Sequence, residues 1–151
     1  MDMSGQRIIA ADRETVWKHL NDPETLKACI PGCQELTGSP TEGFEAVVKQ
    51  RVGPVSATFR GAVELSNVIA PESYTIIGEG KGGVAGFAKG GADVTLTVVP
   101  EGTELGYVVN AQVGGKIAQL GSRIVDSFAR KMADQFFDRF VKTVESEDAV
   151  N

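Results

Sequence analysis

The spacing of hydrophobic residues changes twice along this chain, and each change predicts a different kind of element. Residues 3–10 fit a first strand, and two short helical segments follow, "ADRETVWKHLND" and "PETLKACI". Asp12 is suited to cap the first helix, and Pro23 stands at the favoured first position of the second. Pro31-Gly32 then ends that helix. The expected opening is a strand followed by two short helices.

From residue 33 to residue 113 hydrophobic and polar residues alternate. In "FEAVVKQRV" Phe44, Val48 and Gln50 share one face, and in the next segment Phe59 lies on the corresponding face. Tyr107 has the same inward position in "TELGYVVNAQV". Clean alternation with short connections is typical of antiparallel strands that have one face in water.

From about Lys116 to Val144 the hydrophobic residues recur at threes and fours, which predicts a helix. A helix over this range would extend roughly 40 Å, so its broad apolar stripe must lie on the inner face of the sheet. The predicted fold class is therefore α+β, a curved antiparallel sheet wrapped around a long C-terminal helix, with two short helices after strand 1. We expect one domain over residues 1–145 and a short acidic tail over residues 146–151.

A sheet bent around a helix seldom closes completely, so we expect a cavity between the two. Seven glycines between Gly78 and Gly91 predict a strongly bent pair of strands, with Phe87 at the entrance of their hairpin. Gly121 interrupts the predicted helix. It could make room for a ligand beneath the helix, or allow close contact between helix and sheet.

The predicted ligand-binding residues are those that face inward or lie near the short helices, although each alone is also compatible with an ordinary core. They are Trp17, Ile30, Phe44, Val48, Gln50, Phe59, Phe87, Tyr107, Leu120, Gly121, Ile124, Phe128 and Met132. Gln50 is the polar member, and a buried amide costs about 1–3 kcal/mol unless it is paired. Its partner could be a ligand carbonyl, a backbone group or water at a strand end. No catalytic residue is predicted, because most charged residues face outward. The best inward candidate is Tyr107, and a single phenol is a thin basis for a catalytic mechanism.

The two cysteines, Cys29 and Cys33, flank Pro31-Gly32 and raise the question of a metal or redox site. Zinc needs four ligands, the sole histidine is His19 on what we expect to be a surface helix, and redox pairs usually have two intervening residues. We therefore interpret both cysteines as buried thiols that flank a helix end, with no bound metal.

The composition limits the classes of partner that the protein is expected to bind. The 151 residues carry a net charge of −5 and no Lys/Arg run, which argues against nucleic acid. No apolar run is long enough to span a bilayer, and the first residues do not resemble a signal peptide. We expect a cytoplasmic protein.

Four segments in this order, "CIPGCQEL", "VGPVSATFRGAVEL", "GYVVNAQVGGKIAQLGSRIVD" and "FARKMADQFFDRF", resemble the carbon monoxide dehydrogenase G-subunit family. That family belongs to the helix-grip (START-like, SRPBCC) superfamily, and the resemblance runs from about residue 3 to residue 144. It implies the helix-grip fold, a deep hydrophobic cavity and a non-catalytic accessory role for molybdenum hydroxylases of the carbon monoxide dehydrogenase type. It also implies recruitment of that enzyme to the membrane and handling of its quinone acceptor.

The resemblance is incomplete at the end of the chain. Family members often continue into an apolar or amphipathic membrane-binding tail, whereas "VESEDAVN" is short and acidic and would be repelled by anionic lipid. We therefore favour a carrier of a quinone or lipid-like ligand, with at most transient, peripheral contact with the inner membrane. The alternatives are a helix-grip enzyme of the cyclase type and a purely structural subunit whose cavity is filled by side chains.

Overall fold

The computed structural model describes the backbone of residues 1–150 and the side chains of residues 1–147. The elements follow the predicted order of a strand, two short helices, a run of strands and a C-terminal helix. They are β1 (Asp2–Ile9), α1 (Arg13–Leu20), α2 (Pro23–Cys29), β2 (Cys33–Ser39), β3 (Gly43–Val52), β4 (Val55–Ile69), β5 (Ser73–Lys81), β6 (Phe87–Val99), β7 (Gly102–Gly114), α3 (Lys116–Gln119) and α4 (Ser122–Val150). A single 3₁₀ turn, Gly83–Ala85, joins β5 to β6.

The strands form one antiparallel sheet in the order β1-β7-β6-β5-β4-β3-β2. Between β1 and β2 the chain crosses from one edge of the sheet to the other through α1 and α2. α4 lies along the inner face and contacts β1, β3 and both short helices. The predicted fold class is confirmed.

The densely packed part of the core lies towards the C-terminal end of α4. Phe140 and Val144 are completely buried there, together with Ile9, Val16 and Leu105. Since α1 and α2 close this end, the space between the sheet and the earlier turns of α4 is where a cavity can remain.

The long helix predicted from Lys116 to Val144 is two helices. Gly121, at φ +95°, separates α3 from α4, since a residue in the left-handed region cannot continue a right-handed helix. It is exposed, and apart from its own chain neighbours no described atom lies within 4 Å of the position that a Cβ would take. Gly121 therefore neither makes room for a ligand beneath the helix nor allows close helix–sheet contact. Beyond residue 144, α4 continues through most of the predicted tail, of which Asn151 and the side chains of residues 148–150 lie outside the described residues.

The prediction that His19 lies on the surface is wrong. The residue is 5% exposed, because the end of α4 covers α1 at this point. Thr25 donates its hydroxyl proton to Asp22 (2.7 Å), so Nδ1 of His19, 2.9 Å from the same oxygen, is the donor in that contact. Nε2 lies 2.7 Å from the Glu147 carboxylate without an aligned hydrogen bond.

The glycine-rich hairpin pairs in a regular register. β5 and β6 pair without a register shift, with Gly78 opposite Gly90 and Gly80 opposite Ala88. At Gly78 a Cβ would come within 3.2 Å of the Ala62 carbonyl oxygen, so the glycine allows neighbouring strands to approach closely.

Candidate functional site

A cavity of about 340 Å³, here called the deep cavity, lies between the sheet and the middle of α4. Its wall comes from inward positions of all seven strands, from the two short helices and from α4. Phe44, Leu105 and Tyr107 line it from the sheet, Ile30 from the end of α2, and Ala133 from α4. Almost all of its surface is hydrocarbon.

A second apolar cavity, here called the tip cavity, lies beneath the first half of α4 and has a volume of about 270 Å³. Val48 and Phe59 line it from the sheet, and Phe128, Ala129 and Met132 line it from α4.

The two cavities share their strands. On β3 Ala46 lines the deep cavity and Val48 the tip cavity, and on β7 Val109 and Ala111 divide in the same way. Residues two apart on a strand face the same side, so each inward row passes directly from one cavity to the other. The alternation therefore predicts which residues face α4, but it does not predict two separate spaces.

Eight of the predicted ligand-binding residues line these cavities. The deep cavity receives Ile30, Phe44 and Tyr107, and the tip cavity receives Val48, Gln50, Phe59, Phe128 and Met132.

The other five predicted residues line neither cavity. Trp17 packs edge-on against Tyr74, with ring centroids 5.2 Å apart. Phe87 lies against Gly114, and Leu120 and Ile124 approach the turn at Gly53. Phe87, Leu120 and Ile124 lie outside the cavities because α3 and the start of α4 lie at the end of the sheet. Gly121 lies in the exposed break already described.

Gln50 has a backbone partner. Its Nε2 donates to the carbonyl oxygen of Pro31 at 2.6 Å, and the backbone N–H of Lys49 donates to the carbonyl of Gly32 at 2.9 Å. Of the partners considered for this amide, the backbone group is the one observed. The two bonds hold the Pro31-Gly32 turn on β3 and so position Ile30.

The deep cavity also contains residues absent from the predicted set, among them Tyr74, Phe136 and Phe137. Tyr74 alternates with Ile76 in "SYTIIGEGK", so the strand period could have found it. Phe137 stacks on Tyr107 with ring centroids 4.8 Å apart.

Polar groups are scarce in this wall. Among the described residues that line the deep cavity, only Tyr74 and Tyr107 have a polar N or O atom in the side chain. Burial raises the pKa of the Tyr74 phenol, so it stays protonated and available as a donor. The Tyr107 ring lies over Gly5 of edge strand β1, and a Cβ at Gly5 would come within 2.7 Å of its Cζ. The wall can therefore hold an apolar molecule and offers it a phenol donor.

Next to Tyr107, an ion pair links the sheet edge to α4. Arg7 lies 3.1 Å from Asp134, and its guanidinium carbon is 5.8 Å from the centre of the Phe137 ring. The pair joins β1 to α4 beside Phe137, which lines the deep cavity.

The cysteines are both free, and they differ in exposure. Cys29 is buried, whereas Cys33 is half-buried, because β2 is an edge strand. Burial raises the pKa of both thiols, so at neutral pH they are protonated, and a protonated thiol is a poor nucleophile and metal ligand. Within the described part of the chain, no three His, Cys, Asp or Glu side chains cluster as metal ligands.

No helix among the described residues combines the length and the apolar character needed to cross a membrane.

A seven-stranded antiparallel sheet wrapped around one long helix, with apolar cavities between them, defines a helix-grip protein. The chain belongs to the carbon monoxide dehydrogenase G-subunit (CoxG) family, whose sequence model matches residues 5–145. A comparison with curated proteins finds no significant match.

Solved structures agree with this fold. A conserved protein from Geobacillus kaustophilus is 28% identical, with a TM-score of 0.89 over 97% of this chain and 96% of that one. A protein from Rhizobium leguminosarum is 14% identical, with a TM-score of 0.74 over 97% and 95% of the two chains. A protein from Thermus thermophilus is 14% identical, with a TM-score of 0.71 over 97% and 99%. At 14% identity, the last two support the fold alone.

Proposed function

We propose that this protein is a non-catalytic accessory protein of a carbon monoxide dehydrogenase-type molybdenum hydroxylase, and that it carries that enzyme's quinone acceptor in the deep cavity. Family membership supports the association with the dehydrogenase. The observation that carries the ligand proposal is the deep cavity itself, whose volume of about 340 Å³ lies within the range of small-molecule sites.

A quinone suits the chemistry of this wall. Its ring and tail are apolar, and its carbonyl oxygens accept hydrogen bonds without carrying charge. The protonated phenol of Tyr74 supplies a donor at a surface that is almost entirely hydrocarbon. An anionic or cationic ligand would lose its hydration here without gaining an ionic partner.

A carrier needs contact with both the membrane and the dehydrogenase. We therefore assign the protein a peripheral place at the cytoplasmic side of the inner membrane, where it would take up quinone and deliver it. A helix-grip enzyme is less well supported, because the described lining of the deep cavity includes no carboxylate or imidazole.

The experiment that tests ligand binding uses two alanines of α4. Ala133 lines the deep cavity and Ala129, one turn earlier, lines the tip cavity. Ala133→Leu should fill space that the quinone ring needs and weaken binding of a tail-less quinone at least about tenfold. Ala129→Leu is the matched control and should leave this affinity within about twofold. Titration calorimetry gives the affinities, and thermal unfolding checks that both variants fold.

Absence of quinone binding by the wild type would leave a structural subunit as the better account. Equal loss in both variants would contradict the choice of the deep cavity. If Ala133→Leu unfolds the protein, the less bulky Ala133→Val answers the same question.

A further inference from the structure

Three connecting segments meet at one end of the molecule, and together they form what we call the rim. They are residues 51–55 between β3 and β4, residues 81–87 between β5 and β6, and residues 114–124 around α3. A Cβ at Gly53 would lie 3.6 Å from Leu120, and one at Gly86 would lie 3.1 Å from the Cα of Gly115. The three segments are therefore direct neighbours in space.

The rim exposes apolar side chains. Val84, at the end of the β5–β6 hairpin, is 85% exposed, and Phe87 and Ile124 are each 40% exposed. The same segments supply Val52 and Ile117 to the wall of the tip cavity. The exposed apolar surface thus continues into the apolar interior.

The charges of the rim all have one sign. Its charged residues are Arg51, Lys81, Lys116 and Arg123, in a chain whose net charge is −5. Arg51 is held at its turn by donating from Nε to the carbonyl of Gly53 (3.0 Å). Lys81 lies 3.2 Å from Glu79, just outside the rim, in an exposed pair that water weakens. Protruding apolar side chains among cations match the surface of an anionic bilayer, where headgroups bind the cations and acyl chains accept the apolar groups.

We propose that the rim docks on the anionic lipid surface of a membrane, with Val84, Phe87 and Ile124 entering the headgroup region. The proposal rests on the carrier function above, since it places the tip cavity against the bilayer, where an apolar ligand would enter without crossing water. A second copy of the chain is disfavoured as the occupant, because two cationic rims would repel each other. The acidic end of the chain does not oppose this contact. The 29 residues of α4 separate it from the rim by about 40 Å, well beyond the Debye length at physiological salt.

The test is sedimentation of the full chain with quinone-free vesicles of phosphatidylglycerol and phosphatidylcholine, compared with phosphatidylcholine alone. The double variant Lys116→Glu/Arg123→Glu should bind the anionic vesicles at least about tenfold more weakly, since each cation near such a surface contributes roughly 1 kcal/mol. Val84→Glu should weaken binding about fivefold or more and leave folding intact, because the side chain is exposed.

Each variant has a matched control at the other end of the fold. Val98 is an equally apolar and 65% exposed residue at the far end of β6, and Arg139 and Lys142 are exposed cations on the later turns of α4. Val98→Glu and the double variant Arg139→Glu/Lys142→Glu should bind anionic vesicles within about twofold of the wild type. Circular dichroism of all the variants confirms that they are folded.

Absence of wild-type binding to anionic vesicles would overturn the rim proposal, as would equal loss in the controls. Rim variants that keep vesicle binding but lose the dehydrogenase, or that abolish a dimer seen by sedimentation velocity, would overturn it in favour of those partners. The carrier function is tested separately by quinone titration of the same variants without vesicles. If vesicle binding depends on the rim residues but the protein binds no quinone, the carrier function would be wrong and the rim proposal would stand.

Discussion

At the scale of single residues, Tyr74 is the side chain that we expect to donate a hydrogen bond to the ligand. Its phenol is protonated, and it belongs to a wall that is otherwise almost entirely hydrocarbon. Tyr74→Phe removes one donor and leaves the ring in place. Because a neutral hydrogen bond contributes about 0.5–1.5 kcal/mol, affinity for a quinone should fall roughly two- to tenfold.

Tyr107→Phe is the control for this prediction. The Tyr107 ring lies over Gly5 at the sheet edge, so loss of its hydroxyl should leave quinone affinity within about twofold. A hydrocarbon of similar shape should bind wild type and Tyr74→Phe equally well. Titration calorimetry with both ligands checks the difference, and an unchanged quinone affinity in Tyr74→Phe would show that this phenol does not contact the ligand.

The sequence predicts the burial of some residues better than that of others. Phe44 and Val48 alternate with charged residues on β3, so the strand period alone shows that they face α4. The burial of His19 depends on the end of α4 crossing α1, a contact between residues far apart in sequence. Local periodicity contains no information about such a contact, and the same applies to the stacking of Phe137 on Tyr107.

At the scale of elements, the break between α3 and α4 is a property of one backbone torsion. Gly121 has φ +95°, which costs an L-residue roughly 1–2 kcal/mol, and the space around it is open. Gly121→Ala should therefore lower the free energy of unfolding by about 1 kcal/mol without weakening quinone binding. Urea denaturation and calorimetry measure the two effects.

A loss of affinity larger than the loss of stability would contradict this prediction and return Gly121 to the ligand site. The apolar stripe runs through both helices with the same period, so periodicity predicts a single helix over residues 116–144. A glycine inside a helical pattern is compatible with continuation or with a break. Only the backbone torsion decides between them.

At the scale of the whole molecule, α4 divides the protein into a packed end and an end with cavities. Phe140 is completely buried against the core formed with α1 and β7, whereas Phe128 is half-buried and lines the tip cavity. A side chain beside an empty space has fewer neighbours to lose. The two ends should therefore differ in their contribution to stability.

The same substitution at these two positions tests that division. Phe140→Ala should lower the free energy of unfolding by about 3–5 kcal/mol, the usual cost of emptying a packed aromatic site. Phe128→Ala should cost about 1–2 kcal/mol, because it extends a cavity that already exists. Urea denaturation measures both free energies, and hydrogen exchange should show stronger protection around residues 140–144 than around residues 122–132. Equal losses in the free energy of unfolding and uniform protection along α4 would show that the sheet packs evenly against the whole helix. The protein would then have no loosely packed end through which a ligand could enter.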